Sequence, residues 1–171
     1  IQYDAVSYAG MRAANKESFG LTVRPEGMEG AGDPAADGII PDYDFSKAKT
    51  IVSIGADFLN SWLLPTQFAH QFASRRNPDG EWMSKFFMFE SMMSITGSNA
   101  DYRGMIKPSE QANVLAYLLK GFGVSTDVST QLPAKTQKIA DEALKALKSS
   151  KAESLVVSGS NNKAIQILTN K

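Results

Sequence analysis

The stretch Lys49-Thr50-Ile51-Val52-Ser53-Ile54-Gly55-Ala56-Asp57 decides the fold. Thr50, Ile51, Val52 and Ile54 form an almost unbroken β-branched run, which suits a parallel strand covered on both faces better than a strand with one wet side. The run ends abruptly in a glycine and an acid. In open α/β sheets ligands bind beyond the carboxyl ends of parallel strands, so this end marks where a site belongs.

A strand buried on both faces needs neighbours of the same character. Met83 to Phe89 is one, opened by the turn signal Asn77-Pro78-Asp79-Gly80. Ser154-Leu155-Val156-Val157-Ser158-Gly159-Ser160 is another, again ending in small residues before a helical stretch at Lys163 to Thr169. Helices are expected between them at Pro65 to Arg75, Pro108 to Phe122 and Leu132 to Ser149. The Pro108 helix carries proline at an early position and Glu110 in its first turn, as helix-start physics prefers. The Leu132 helix has Ile139, Ala143, Leu144 and Leu147 on one side and lysines on the other, a stripe that core packing explains. Strands alternating with helices predict a Rossmann-like three-layer α/β/α domain with a mainly parallel sheet.

Before the first strand, Asp4 or Ser7 can cap a helix running through Met11 and Ala14 to Phe19, closed by Gly20. Residues 21–40 then read as a long loop insertion, with Gly27, Gly30, Gly32 and Gly38 beside Pro25 and Pro34. Asp33 and Asp37 lack the alternating oxygen ligands of a calcium loop, so no metal is assigned there. Ile1-Gln2-Tyr3 reads as the last residues of a strand begun upstream, and the chain, residues 1–171, as a single α/β domain that is a fragment of a longer parent.

Composition narrows the function. The 18 basic and 18 acidic residues cancel, so no long-range field holds a polyanion and nucleic acid is not expected as a partner. The absence of cysteine removes disulfides, thiolate iron–sulfur ligation and a cysteine nucleophile together. No apolar run approaches the roughly 18 to 20 residues of a membrane-spanning helix, so no direct span is expected. His70 is the sole histidine and reads as a packed or capping residue among Phe68, Ala69 and Phe72. Arg75-Arg76 reads as a solvated helix end rather than an anion clamp. No serine sits in a Gly-x-Ser-x-Gly elbow, and neither Gly55-Ala56-Asp57 nor Gly159-Ser160-Asn161 extends to a dinucleotide fingerprint. No catalytic residue is assigned.

Several separated motifs resemble a known family in order. Ile54-Gly55-Ala56-Asp57, Thr96-Gly97-Ser98-Asn99-Ala100-Asp101-Tyr102 and Ile106-Lys107-Pro108-Ser109-Glu110 resemble the pterin-binding domain of molybdopterin oxidoreductases of the dimethyl sulfoxide reductase type. More closely, Tyr3-Asp4-Ala5-Val6-Ser7, Ile40-Pro41-Asp42-Tyr43-Asp44-Phe45, Phe68-Ala69-His70-Gln71-Phe72 and Ser154-Leu155-Val156-Val157-Ser158-Gly159-Ser160-Asn161 look like the large iron–sulfur subunit of bacterial alternative complex III. That resemblance covers nearly the whole chain. It implies a quinol-oxidising respiratory complex at the bacterial cytoplasmic membrane, with this subunit on the periplasmic side. It also implies that the molybdopterin-like part lacks its cofactor, that iron–sulfur clusters lie elsewhere in the parent, and that the partners are the rest of the parent and the other subunits.

Departures from the enzyme pattern fit a lost cofactor. The enzymes carry Gly-Ala-Asn-Pro at the first strand end, where this chain has Gly55-Ala56-Asp57-Phe58, and a carboxylate there repels a pyrophosphate by about 1 kcal/mol even in water. Their Asp-Pro-Arg at the second strand end is Glu90-Ser91-Met92 here, and their Pro-Gly-Thr-Asp is Pro108-Ser109-Glu110-Gln111. The expectation is a vestigial pocket at Gly55, Asp57, Glu90, Ser98, Asp101 and Gly159, built from loops 55–58, 90–101 and 159–162 and acidic in character. In that setting Asp57→Asn should leave stability nearly unchanged. Three readings follow: a non-catalytic scaffold and docking domain, part of an active molybdopterin enzyme, or an unrelated α/β domain holding a small ligand at Gly55 and Gly159.

Overall fold

A computed structural model of the chain describes residues 7–20 and 38–171, in two compact units. The expected strand at Ile1-Gln2-Tyr3 and nearly all of the 21–40 loop lie outside the described residues.

The larger unit, Tyr43–Gly159, holds a four-stranded sheet in which every pairing is parallel. Its strands are β1 (Thr50–Ile54), β2 (Lys85–Glu90), β3 (Tyr102–Met105) and β4 (Ser154–Ser158), in the order β3-β2-β1-β4. β1 and β4 lie where their β-branched runs predict. β2 starts two residues later than its apolar run, because Lys85 is the first residue opposite Thr50, while Ser84 turns its amide to the Arg75 carbonyl (3.0 Å) and its hydroxyl to the Ala48 carbonyl (2.8 Å). β3 was not predicted. Its sequence Tyr-Arg-Gly-Met has no β-branched residue, and at an outer position only one neighbour needs to be matched.

Helices cover both faces, giving three α/β/α layers. α2 (Pro65–Ala73) crosses from β1 to β2 and packs one face through aromatic rings: Phe72 meets Phe86 of β2 edge-to-face at 5.5 Å, and Phe58 lies 4.3 Å from Phe45 and 5.3 Å from Phe86. Each such ring pair adds about 1 kcal/mol to the burial of its area. α3 (Ile95–Ser98) is a single turn between β2 and β3. α4 (Gln111–Gly121), entered by a 3-10 turn at Pro108–Glu110, and α5 (Ala134–Ser149) return the chain from β3 to β4. α5 lies on the face opposite α2, where Thr136 Cγ2 approaches Gly104 of β3 and Thr50 Oγ1 donates to the Ala146 carbonyl (3.4 Å). The reversal has a physical cause. The chain steps from β1 to β3 in one direction and then jumps back past β1 to β4, and a right-handed crossover made in the opposite direction lays its helices on the opposite face.

The smaller unit pairs α1 (Ala9–Phe19) with α6 (Lys163–Asn170). Asn161 Oδ1 accepts from the Gly10 amide (2.8 Å), Asn170 Nδ2 donates to Asn15 Oδ1 (2.8 Å), and Lys163 Nζ lies 2.6 Å from Glu17 Oε2. Asn162 caps α6 by accepting from the Ala164 amide (2.9 Å), and Gly20 closes α1 in the left-handed conformation expected of it. Among the described residues no helix is long and apolar enough to cross a membrane.

Candidate functional site

Strand order reverses at the β1/β4 boundary, and a ligand crevice is expected beyond the carboxyl ends there. The two glycines that open the turns meet instead. Gly159 donates its amide to the Ile54 carbonyl (3.0 Å), and a Cβ placed on it would fall 2.3 Å from the Gly55 carbonyl oxygen and 2.9 Å from Ala56 Cα. Gly55 leaves β1 at φ 67°, a conformation that L side chains rarely adopt, with its amide on the Phe89 carbonyl (2.9 Å). Ser53 closes the same turn, its hydroxyl donating to the Ala56 carbonyl (2.9 Å) while accepting from the Ala56 amide (3.1 Å). The main chains of the two strand ends are in close contact.

The acids at the strand ends are engaged as well. Asp57 Oδ1 accepts from the Thr96 hydroxyl (2.7 Å) and amide (3.2 Å), and Oδ2 accepts from Asn60 Nδ2 (3.0 Å) and Ser61 Oγ (3.1 Å). Burial pushes this carboxyl up, but the bonds from Thr96, Asn60 and Ser61 together hold it below its ordinary value. Four donors on one carboxylate make Asp57 an organiser of loop 57–62, which changes the expectation that Asn would replace it without cost. Glu90 is only 4% exposed and is held by Arg103 Nε at 2.6 Å, Ser94 Oγ at 2.7 Å and the Ser94 amide at 3.2 Å. Gly97 lies flat against that carboxylate, where a Cβ would fall 1.8 Å from Glu90 Oε1.

Asp101 lies at the other end of the sheet. Both its oxygens are bound by the Arg76 guanidinium (2.7 and 2.9 Å), and Oδ2 also accepts from the Phe86 amide at the start of β2 (2.8 Å). Burial raises this carboxyl, and the Arg76 bond, the Phe86 amide and the Arg76 charge more than offset it, leaving it low. The reason for the placement is topological. A chain that leaves the carboxyl end of β2 to enter a parallel β3 must first return to the amino end, so residue 101 cannot lie beside residue 90. Ser98 sits exposed at the end of α3, its hydroxyl donating to the Ile95 carbonyl (2.7 Å). Of the six residues expected to share a pocket, Gly55 and Gly159 touch, Asp57 and Glu90 both bind turn 94–96, Ser98 faces solvent and Asp101 is elsewhere.

Two further expectations are corrected. His70 is exposed in the last turn of α2, so of the packed and capping alternatives the packed one is excluded. Arg75 and Arg76 are not a solvated helix end: Arg75 Nε donates to the Ser46 carbonyl (2.7 Å) with its guanidinium over the Trp82 ring (4.4 Å), and Arg76 joins Asp101 to the Ser84 carbonyl (2.7 Å). Guanidinium forks and aromatic stacking suit such internal stapling.

The sequence reading missed an open groove of about 690 Å³ at the carboxyl end of β3. Met105, Ile106, Pro108, Pro133, Thr136 and Ile139 form half of its twelve-residue lining. Among the described residues no three His, Asp or Glu side chains cluster as a metal site. In comparison with known proteins, no family model matches the chain and no curated protein matches it.

Proposed function

We propose that the chain is a non-catalytic scaffold and docking domain of a respiratory quinol-oxidising electron-transfer complex, descended from a molybdopterin oxidoreductase and working without that cofactor. On this reading it stands on the periplasmic side of the bacterial cytoplasmic membrane, and the iron–sulfur clusters belong to other parts of the parent. One observation supports it above the rest: where the enzymes it resembles receive a pyrophosphate, this chain has Asp57 and Glu90, each committed to internal hydrogen bonds. A pyrophosphate entering there would have to strip Thr96 and Arg103 from their partners and then face the freed carboxylates. The main-chain contact of Gly159 with Gly55 supports the same reading, since opening it means moving two strands.

The test uses the protein purified from solubilised membranes in its natural assembly. It should co-fractionate with quinol-oxidising activity, and elemental analysis and pterin extraction should find less than stoichiometric molybdenum and pterin. Stoichiometric pterin would overturn the loss of cofactor. Separation of the protein from the quinol-oxidising fraction would overturn the scaffold role.

A further inference from the structure

We infer that the groove at the carboxyl end of β3 is a docking site for an extended segment of a partner protein, one that alternates apolar with acidic side chains. This locates the docking surface of the scaffold reading and rests on it for the partner's being a protein.

The main chain favours an extended occupant. β3 is an outer strand of the sheet among the described residues, and in a parallel ladder every second residue of such a strand turns its N–H and C=O away from the sheet. The Met105 carbonyl is already taken by the Thr136 hydroxyl (2.9 Å), and an added strand would satisfy the outward groups before it and place alternate side chains in whatever lies beside the edge. What lies beside it is apolar. Met105 is 69% exposed, and Pro108, Pro133 and Ile139 continue the surface across to α5. From Ser91 in the groove wall the chain runs on through Met92, 81% exposed, Met93, 69%, and Ile95, 56%.

Charge decides the chemistry of the occupant. Arg103 is spent on Glu90, and Glu110 turns its carboxylate to the Lys107 amide (2.8 Å). Lys107 and Lys135, also in the wall, make no ion pair among the described residues. Two cations against the single charge of Glu110 leave the groove wall positive, which complements a segment whose acids fall between its apolar anchors and disfavours a basic one.

Two synthetic peptides test this on the full chain, one alternating valine with glutamate and one alternating valine with lysine, followed by NMR of the backbone amides. The acidic peptide should shift the amides of residues 102–106 and 134–139 and bind roughly tenfold tighter than the basic one. The double variant Lys107→Glu with Lys135→Glu, both exposed sites, should reverse the preference. Equal binding of the two peptides, or no shift of those amides at millimolar peptide, overturns the proposal. So does decanoate binding there more tightly than the acidic peptide, which would make the groove a small-carboxylate site. Self-association broadening the same amides without peptide also overturns it, the occupant then being a second copy. No respiratory component enters these titrations, so their failure is separate from failure of the co-fractionation experiment.

Discussion

Two regions at the carboxyl ends of the strands meet opposite fates. At β1 and β2 the polar groups at the strand ends are already engaged: Asp57 by Thr96, Asn60 and Ser61, Glu90 by Arg103 and Ser94, and the amides of Gly55 and Gly159 by the carbonyls of Phe89 and Ile54. At β3 the edge is open, the floor is apolar and two lysines hold no counter-ion among the described residues. The difference teaches that residue type at a strand end does not make a site. A carboxylate can receive a ligand's donors only if the fold has not supplied donors of its own, because an internal set costs no translational entropy and wins.

The sharpest way to break the comparison is to force the closed region apart. Gly159→Ala places a methyl against the Gly55 carbonyl, at 2.3 Å, and the obstacle is main chain rather than a side chain able to swing aside. Denaturant unfolding should show a loss of about 3 kcal/mol. A near-neutral result would mean that the gap between β1 and β4 opens easily and that the region is not closed after all.

Glu90→Ala comes next. It removes a buried carboxylate and leaves Arg103, itself partly accessible, able to turn to water, so the loss should be about 2 kcal/mol rather than the larger cost of stranding a fully buried charge. A drop in melting temperature with the cooperative transition retained is the expected observation. An unchanged melting temperature would show that the Glu90–Arg103 pair does not hold the end of β2 to β3.

Asp57→Asn tests the closed region through pH. The folded carboxyl ionises below the unfolded value of about 4, so its stabilisation is complete above about pH 4 and disappears as pH falls through the depressed folded value. Asparagine keeps one acceptor and loses the other, for a deficit of about 1 kcal/mol at neutral pH after allowing for partial exposure. That gap should close on acidification, measured by urea midpoints across the range. A gap that persists into strong acid would show that the carboxylate charge is not what loop 57–62 depends on.

The smallest effect is expected in the open region. Met105→Ser should change stability by less than about 0.5 kcal/mol, since the side chain is largely in water and supports nothing beneath it. A loss comparable to that of Glu90→Ala would mean that the groove wall belongs to the core.

What the sequence determined by itself is the scaffold. β1 could be placed to the residue because a strand buried on both faces is dominated by β-branched and apolar residues, and a run such as Thr50 to Ile54 has few other homes; β4, an outer and partly exposed strand, was legible from Leu155, Val156 and Val157 between small residues. Helices with proline near the start or an apolar stripe were legible for the same local reason, and Gly20 ends α1 as its own conformational freedom requires. Tertiary structure alone decided the sites. Arg76 and Asp101 are 25 residues apart, Asp57 and Thr96 are 39 apart, and nothing in either sequence neighbourhood names its partner. β3 was invisible because Gly104 is there to let Phe89 and Thr136 close in, a Cβ on it falling 2.7 Å from Phe89 Cδ1, and a residue chosen for what it lacks leaves no propensity to read. Whether an acid or a lysine is free to meet a ligand depends on which donors the crossovers bring beside it, and parallel crossovers join positions that chain distance does not order.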